Sequence, residues 1–368
     1  RQADLRAQLA AHDRAEDRLE ELIADHGRGQ VERAFDAIID YSHARMTDEL
    51  AAVPDGTYDA RDVLEGDGVT DADIPIEVSI TVEGTDVHVD FAGTAEQCAG
   101  NMNAPLAVAK SAVYFVVRSI TDPEIPPNHG SYVDIDVSAP EGTVVNPLPP
   151  AAVVGGNVET SQRLTDVVFA AFAEAAPERV PAHSQGTMNN LIIGNREGDG
   201  FTYYETIGGG FGARPDTDGI DGVQVGMTNT LNTPIEAMEA EYPFTVEAYA
   251  FREDSGGDGE YRGGLGLTRS LTVETDAVVS LLTERRRHRP AGAEGGEPGA
   301  PGENLVDGEK LPAKTTRDIE AGSTVTIRTP GAGGYGDPSE RDPAAREADQ
   351  LDGKVTTEGT EDEPEEGR

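Results

Sequence analysis

The stretch IEVSITVEGTDVHVDF, residues 76–91, alternates apolar and polar side chains on both sides of a short polar break. Ile76, Val78, Ile80 and Val82 share one face of an extended chain, and Val87, Val89 and Phe91 repeat the pattern after Glu83-Gly84-Thr85-Asp86. Successive strand side chains point to opposite faces, so each half buries one face, and the glycine-bearing break reads as a hairpin turn. Upstream, residues 2–50 show helical spacing, with Leu5, Leu9, Leu19, Leu22 and Ile23, then Ala34, Ile38 and Ile39, opposite a charged face. Two helices are expected there. Downstream, residues 105–120 return to helix, and Leu164, Val167, Val168, Ala171 and Phe172 lay a further helical face onto a core. Leu191–Ile193 and Phe201–Glu205 read as strands and Pro234–Glu241 as a short helix, while Tyr242–Ile327 reads as short β runs parted by turns such as EDSGGDGEYRGGLG. The fold class is α+β. We expect a helical segment over 1–50 that continues from a missing N-terminal part, and a mixed α/β region over 51–241. A mostly β region over 242–337 and a disordered acidic tail over 338–368 follow.

The 368 residues include 69 acidic and 29 basic side chains, a formal net charge of −40. Phosphates would be repelled, so nucleic acid is excluded as a partner. Lys110, Lys310, Lys314 and Lys354 are the whole lysine complement. Acidic excess with scarce lysine reads as a halophilic surface, adapted to molar salt, where the Debye length shrinks to about 3 Å and self-repulsion fades. Cys98 is the single cysteine, which rules out an internal disulfide and a cysteine-built zinc site and fits a reducing cytoplasm. The most apolar stretch, 105–120, is interrupted by Lys110 and Arg118 and is too short for a bilayer, so no membrane partner is expected. The first residue is Arg1, with no signal peptide ahead of the fold, as though the sequence begins part-way into a longer one.

Several familiar sites are missing. The chain has no phosphate-cradling G-x-x-x-x-G-K-[ST] loop. IGGGFGARPDTDG follows a strand but leads into prolines and aspartates instead of a helix, which excludes a dinucleotide fingerprint. AHSQG, residues 182–186, lacks one glycine of a nucleophile elbow, and the seven histidines never pair at metal-ligand spacing. What stands out instead is a density of amide and hydroxyl side chains in four clusters, at 157–163, 183–190, 203–206 and 227–234. Each abuts an element end, and such groups suit a small substrate bearing carbonyl and N–H groups. Taken singly, each cluster reads equally as turn and cap residues. The first of them, in GGNVETSQRLTDVVFAAFAEA (155–175), sits at the mouth of a helix, where Thr160 or Ser161 can cap free N–H groups and an anion can bind.

In this order, GGNVETSQR, SQGTMNN, YYETIGGG, MTNTLNTPIE, DSGGDGEYRGGLG, LLTERR and TPGAGGYGDP resemble the B-type subunits of ATP-dependent hydantoinases and 5-oxoprolinases. The large subunits of acetone and acetophenone carboxylases share the pattern. The resemblance runs to about Asp337 and implies an A-type partner subunit that carries the ATP site. It places a divalent metal in a segment preceding these residues, so that no metal or cofactor is expected on this chain. It also implies hydrolysis of a five-membered cyclic amide whose oxygen is first phosphorylated. On residue chemistry, Glu159 or Glu205 is the candidate base or orienter and His183 a proton shuttle. Asn157, Gln185, Asn189, Asn229 and Asn232 are the candidate hydrogen-bonding groups around the ring. Arg163 is placed either against a substrate carboxylate or in an ion pair with Asp166 at i+3. A ketone carboxylase subunit and a non-catalytic scaffold are the alternatives.

Overall fold

The computed structural model describes residues 2–195 and 200–356. The expected hairpin is there. Strand β2 (Ile74–Glu83) pairs antiparallel with β3 (Asp86–Asp90), with Glu83 opposite Asp86, and Gly84 supplies the positive φ of 66° that the two-residue turn needs. Burial alternates strictly along β2, so Ile74, Ile76, Val78, Ile80 and Val82 all face inward. With β1 (Gly56–Leu64) and β4 (Ile135–Ser138) these strands form a sheet in the order β1-β2-β3-β4, in which only the β3–β4 pair is parallel. Helix α3 (Leu106–Ile120) buries Ala109, Ala112, Val113, Val116 and Val117, and α4 (Ser161–Ala175) lies across β1 and β2 beside it. Together they close the first core.

Two further sheets make the second core. Strands β5 (Asn190–Asn195), β6 (Phe201–Glu205), β9 (Ala277–Leu282) and β12 (Lys314–Ile319) form an antiparallel sheet in the order β12-β9-β5-β6. The other is ordered β11-β10-β13-β8-β7, from β7 (Phe244–Phe251), β8 (Leu267–Val273), β10 (Glu303–Val306), β11 (Glu309–Leu311) and β13 (Ser323–Arg328). Helix α5 (Ile235–Glu241) inserts Met238 beneath them. The boundary expected at 241/242 therefore moves. Because β5 pairs with β9, residues from both sides of it share one sheet, and the two cores part between Val180 and Leu191.

Both ends depart from expectation as well. Helices α1 (Gln2–His26) and α2 (Arg28–Leu50) form, but α1 buries no residue, and α2 packs chiefly through Ser42, Met46 and Leu50 near its C-terminal end. The acidic tail also starts later than residue 338. Arg341 pairs with Asp218 at 2.7 Å and also holds Asp349, and Asp342 caps α6 (Pro343–Leu351). These contacts fix residues that composition alone assigns to a solvated tail, and the rest of that tail, 357–368, lies outside the described residues. Among the described residues no helix is long and apolar enough to cross a membrane.

Surface charge leads to one expected result. In dilute buffer the Debye length approaches about 30 Å at 0.01 M, so the carboxylates of a −40 chain repel one another; about 3 Å at 1 M relieves them. The melting temperature should rise as potassium chloride goes from tens of millimolar to molar, with sucrose as a control for generic exclusion. Deleting residues 357–368 should leave most of that rise. A flat salt response would remove the halophilic reading of the surface.

Candidate active site

The helix that carries the first polar cluster does not begin where its sequence suggests. Helical backbone starts at Val154, and Gly156–Thr160 is a π-helical turn in which Ser161 N–H donates to Gly156 O before α4 continues. The helix N-terminus with free N–H groups thus lies elsewhere, and neither Thr160 nor Ser161 caps it. Thr160 donates instead to Met102 O, and Ser161 Oγ to Asn157 O at 2.9 Å. Gly156 is required by contact: a Cβ there would lie 1.9 Å from Asn103 O, so only glycine lets the turn press onto the 101–104 loop. A π-turn inserts one residue and splits the faces of the helix. Asn157, Val158 and Ser161 turn to a cavity, while Glu159, Thr160 and Arg163 are buried.

That cavity, about 510 Å³, gathers three of the four clusters directly. Its wall includes Asn157, Met188, Tyr204, Glu205, Thr206, Asn229 and Thr233, with Val108 and Ser111 of α3 opposite. Asn232 stands just behind, donating through Nδ2 to Glu205 Oε1 at 3.1 Å, where Thr233 N–H also donates at 3.1 Å. The other oxygen of Glu205 faces Arg269 Nε at 3.4 Å, and that guanidinium is fully buried over the Tyr249 ring. Glu205 is thus a fixed carboxylate at the cavity wall, neutralised from behind.

Glu159 stands one layer deeper. Its Oε1 accepts from Met188 N–H at 3.1 Å and from Asn190 Nδ2 at 2.6 Å, and Oε2 has no hydrogen-bond partner among the described residues. Burial, reinforced by the nearby charge of Glu284, pushes its carboxyl up to about 8. Asn190 Oδ1 in turn accepts from Tyr204 OH at 2.7 Å, so Glu159 sets the amide that sets a hydroxyl at the cavity wall. Burial and Glu159 both raise the Tyr204 phenol. A folded carboxyl raised above its unfolded value of 4.5 favours folding most at low pH, and that contribution is lost as pH climbs from about 4.5 through about 8. Glu159→Gln keeps the neutral shape, so its denaturant midpoint should stay flatter across that window than the native protein's. An unchanged pH slope would contradict the protonated assignment.

The remaining candidates lie in an ion network between the cores. Arg163, fully buried, reaches Asp62 at 3.0 Å, Asp166 at 2.9 Å and Glu284 at 3.4 Å, so the i+3 pair exists and no face of the guanidinium opens to the cavity. Burial opposes its charge, but these carboxylates outweigh that and raise its pKa further. Arg285 Nη2 bridges Asp62 at 2.7 Å and Asp166 at 2.6 Å, and Lys314 pairs with Glu284. Burial pushes Asp166 up to about 6 against the pull of His183 and Arg163. Glu65, at the end of β1, accepts from the backbone N–H groups of Arg286, Arg287 and His288 at 2.9, 2.7 and 2.7 Å, tying the two cores together. Gln185 and Asn189 are buried partners of each other at 2.8 Å, and Arg286 Nη1 donates to Asn189 at 2.8 Å. His183 lines a separate, smaller cavity of about 180 Å³ with Phe169 and Arg214.

One group has the residue types of a metal site: Asp62, Asp166 and His183 bring ligand atoms within 4.8 Å of one another. The chemistry around them does not fit a cation. Arg285 Nη2 already sits between the two carboxylates at bonding distance, and Arg163 covers the same oxygens. Sequence reasoning passed over Asn190 and Tyr204, though both stand inside motifs it quoted. Asp62, Glu65 and Lys314 carried no local signal, because their partners are more than two hundred residues away or, for Asp62, also on α4.

A three-sheet α+β fold whose polar motifs converge on one cavity defines a class of amide-processing enzyme subunits. The family model for hydantoinase B/oxoprolinase matches residues 1–338, and this chain belongs to that family. It is 39% identical over 349 residues to 5-oxoprolinase 1 of Arabidopsis thaliana, covering 91% of this chain and 27% of the relative. To the B-type subunit of the D-/L-hydantoinase of Pseudomonas sp. (strain NS671) it is 32% identical over 373 residues, covering 96% and 63%. The ATP-dependent caprolactamase from Pseudomonas jessenii superposes with a TM-score of 0.87 at 30% identity, covering 96% of this chain and 64% of that one. The chain thus spans less than two thirds of the length of each of these proteins.

Proposed function

We propose that the chain works as the B-type component of an ATP-dependent cyclic amidase, and that the 510 Å³ cavity receives a small ring bearing carbonyl and N–H groups. The observation that carries the reading is the convergence of Asn157, Tyr204, Glu205 and Asn229, drawn from three separate motifs, on one polar cavity. An amide carbonyl is a poor electrophile and its nitrogen a poor leaving group. An A-type partner would supply ATP and phosphorylate the amide oxygen. Water then adds to the activated carbon, Glu205 takes its proton, and the ring C–N bond breaks with the nitrogen protonated and phosphate released. Tyr204, aimed by Asn190 and Glu159, is the hydroxyl placed to hydrogen-bond the ring, with Asn157 and Asn229 beside it. Arg163, Gln185 and Asn189 hold the site together from behind, and His183 serves the smaller cavity.

The test is reconstitution with an A-type subunit and a panel of hydantoins, 5-oxoproline and lactams. We expect ring opening that depends on ATP, with oxygen-18 from the ring carbonyl recovered in phosphate and solvent oxygen in the new carboxylate. Carboxylation of a ketone by the same complex, without ring opening, would overturn the reading.

A further inference from the structure

Helix α1 is 25 residues long, about 37 Å at the usual rise, and buries none of them. Leu5 and Leu9 are 61% and 62% exposed, and Leu19, Leu22 and Ile23 are also open to solvent. Isolated helices draw little stability from propensity alone, so an amphipathic helix with an uncovered apolar face lacks its packing partner. The arrangement along that face says what the partner is. Leu5, Leu9, His12, Glu16, Leu19 and Ile23 recur at steps of four and three, the seam of a two-helix coil. Read against its own reverse, the series places Leu5 opposite Ile23, Leu9 opposite Leu19 and His12 opposite Glu16. The two polar positions in the middle of the seam are therefore each other's complement, and the apolar positions at both ends are matched in kind.

We propose that α1 pairs antiparallel with α1 of a second copy of this chain across a two-fold axis. Such an isologous contact demands that residue i meet j while j meets i, which this series satisfies at every seam position. On the flank, Arg6 comes to Glu20 of the other copy, a matched pair. Asp13 meets its own copy on the axis, the one like-charge contact, and two His12–Glu16 pairs lie beside it. An acidic chain of −40 repels its copy elsewhere, so salt should tighten this association, since its seam is mostly apolar and its long-range cost is electrostatic.

The experiment is sedimentation equilibrium of the whole chain in molar potassium chloride, with amide hydrogen exchange on residues 2–26. We expect a dimer with α1 protected. Leu9→Glu should give a monomer whose α1 exchanges freely while the two cores stay protected. His12→Glu should weaken dimerisation by about tenfold or more, because two carboxylates then meet in the seam. The swap His12→Glu with Glu16→His should restore it. In a Cys98→Ser background, Leu9→Cys with Leu19→Cys should cross-link between copies, whereas Leu9→Cys alone should not. A monomeric native chain, a dimer indifferent to Leu9→Glu, cross-linking by Leu9→Cys alone, or protection of α1 only after an A-type partner is added would each overturn the proposal. None of these readouts uses catalysis, so the cyclic amidase assignment stands or falls separately.

Discussion

Glu205→Gln is expected to cut ATP-dependent ring opening by roughly 10²–10⁴-fold, the usual worth of a positioned general base. It should also destabilise the protein. Glu205 Oε2 is the carboxylate oxygen facing the fully buried Arg269 guanidinium, and removing one member of a buried pair strands the other at a cost of about 3–5 kcal/mol. The two effects can be separated. Adding Arg269→Met removes the stranded charge, so the double variant should recover much of the denaturant midpoint without recovering turnover. If turnover returns together with stability, Glu205 only anchors the 228–234 segment through Asn232 and Thr233, and the base must be sought elsewhere on the cavity wall.

The same pair shows what was legible from sequence. Glu205 and Asn232 lie in separate motifs, YYET and MTNTLNT, and their chemistry marked both before any contact was known. Their bond is local enough in type, amide to carboxylate, to be anticipated. Arg269 is not. It sits on β8, whose inward positions otherwise hold Leu267, Leu271 and Val273, so its charge reads as a break in a strand pattern rather than as a counter-ion. The hairpin of β2 and β3 was legible because its two periodicities and its turn are all within sixteen residues. The β5–β9 pairing was invisible, since nothing in either strand names its neighbour across about ninety residues. The π-turn at Gly156–Thr160 defeated the helix-start reading for a related reason. The residues that favour a cap, Thr160 and Ser161, spend their hydroxyls on Met102 O and Asn157 O, and only the fold supplies the first of those.

Arg163→Met should be the most damaging single change in the interior, lowering stability by about 3–5 kcal/mol. The reason is charge balance. Arg163, Arg285 and Lys314 face Asp62, Asp166 and Glu284 in one buried network, three cations against three carboxylates. Glu159, next to Glu284, stays protonated in that company. Removing Arg163 leaves a net negative charge with little water to screen it, and the carboxylates must take up protons to compensate. Asp166, already raised to about 6 from an unfolded value of 3.8, should rise further. A raised carboxyl favours folding below its unfolded pKa and loses that contribution as pH passes through the folded one. The deficit of Arg163→Met should therefore be smaller near pH 4 and widen toward neutrality, and adding Asp166→Asn should return part of it. Arg163→Lys, which keeps the charge but loses the fork that reaches three carboxylates, should fall between. Denaturant midpoints across pH for the four proteins would show this. A rise in KM with unchanged midpoints would mean instead that the guanidinium meets a substrate carboxylate, which a side chain with no exposed surface and three acidic neighbours is poorly placed to do.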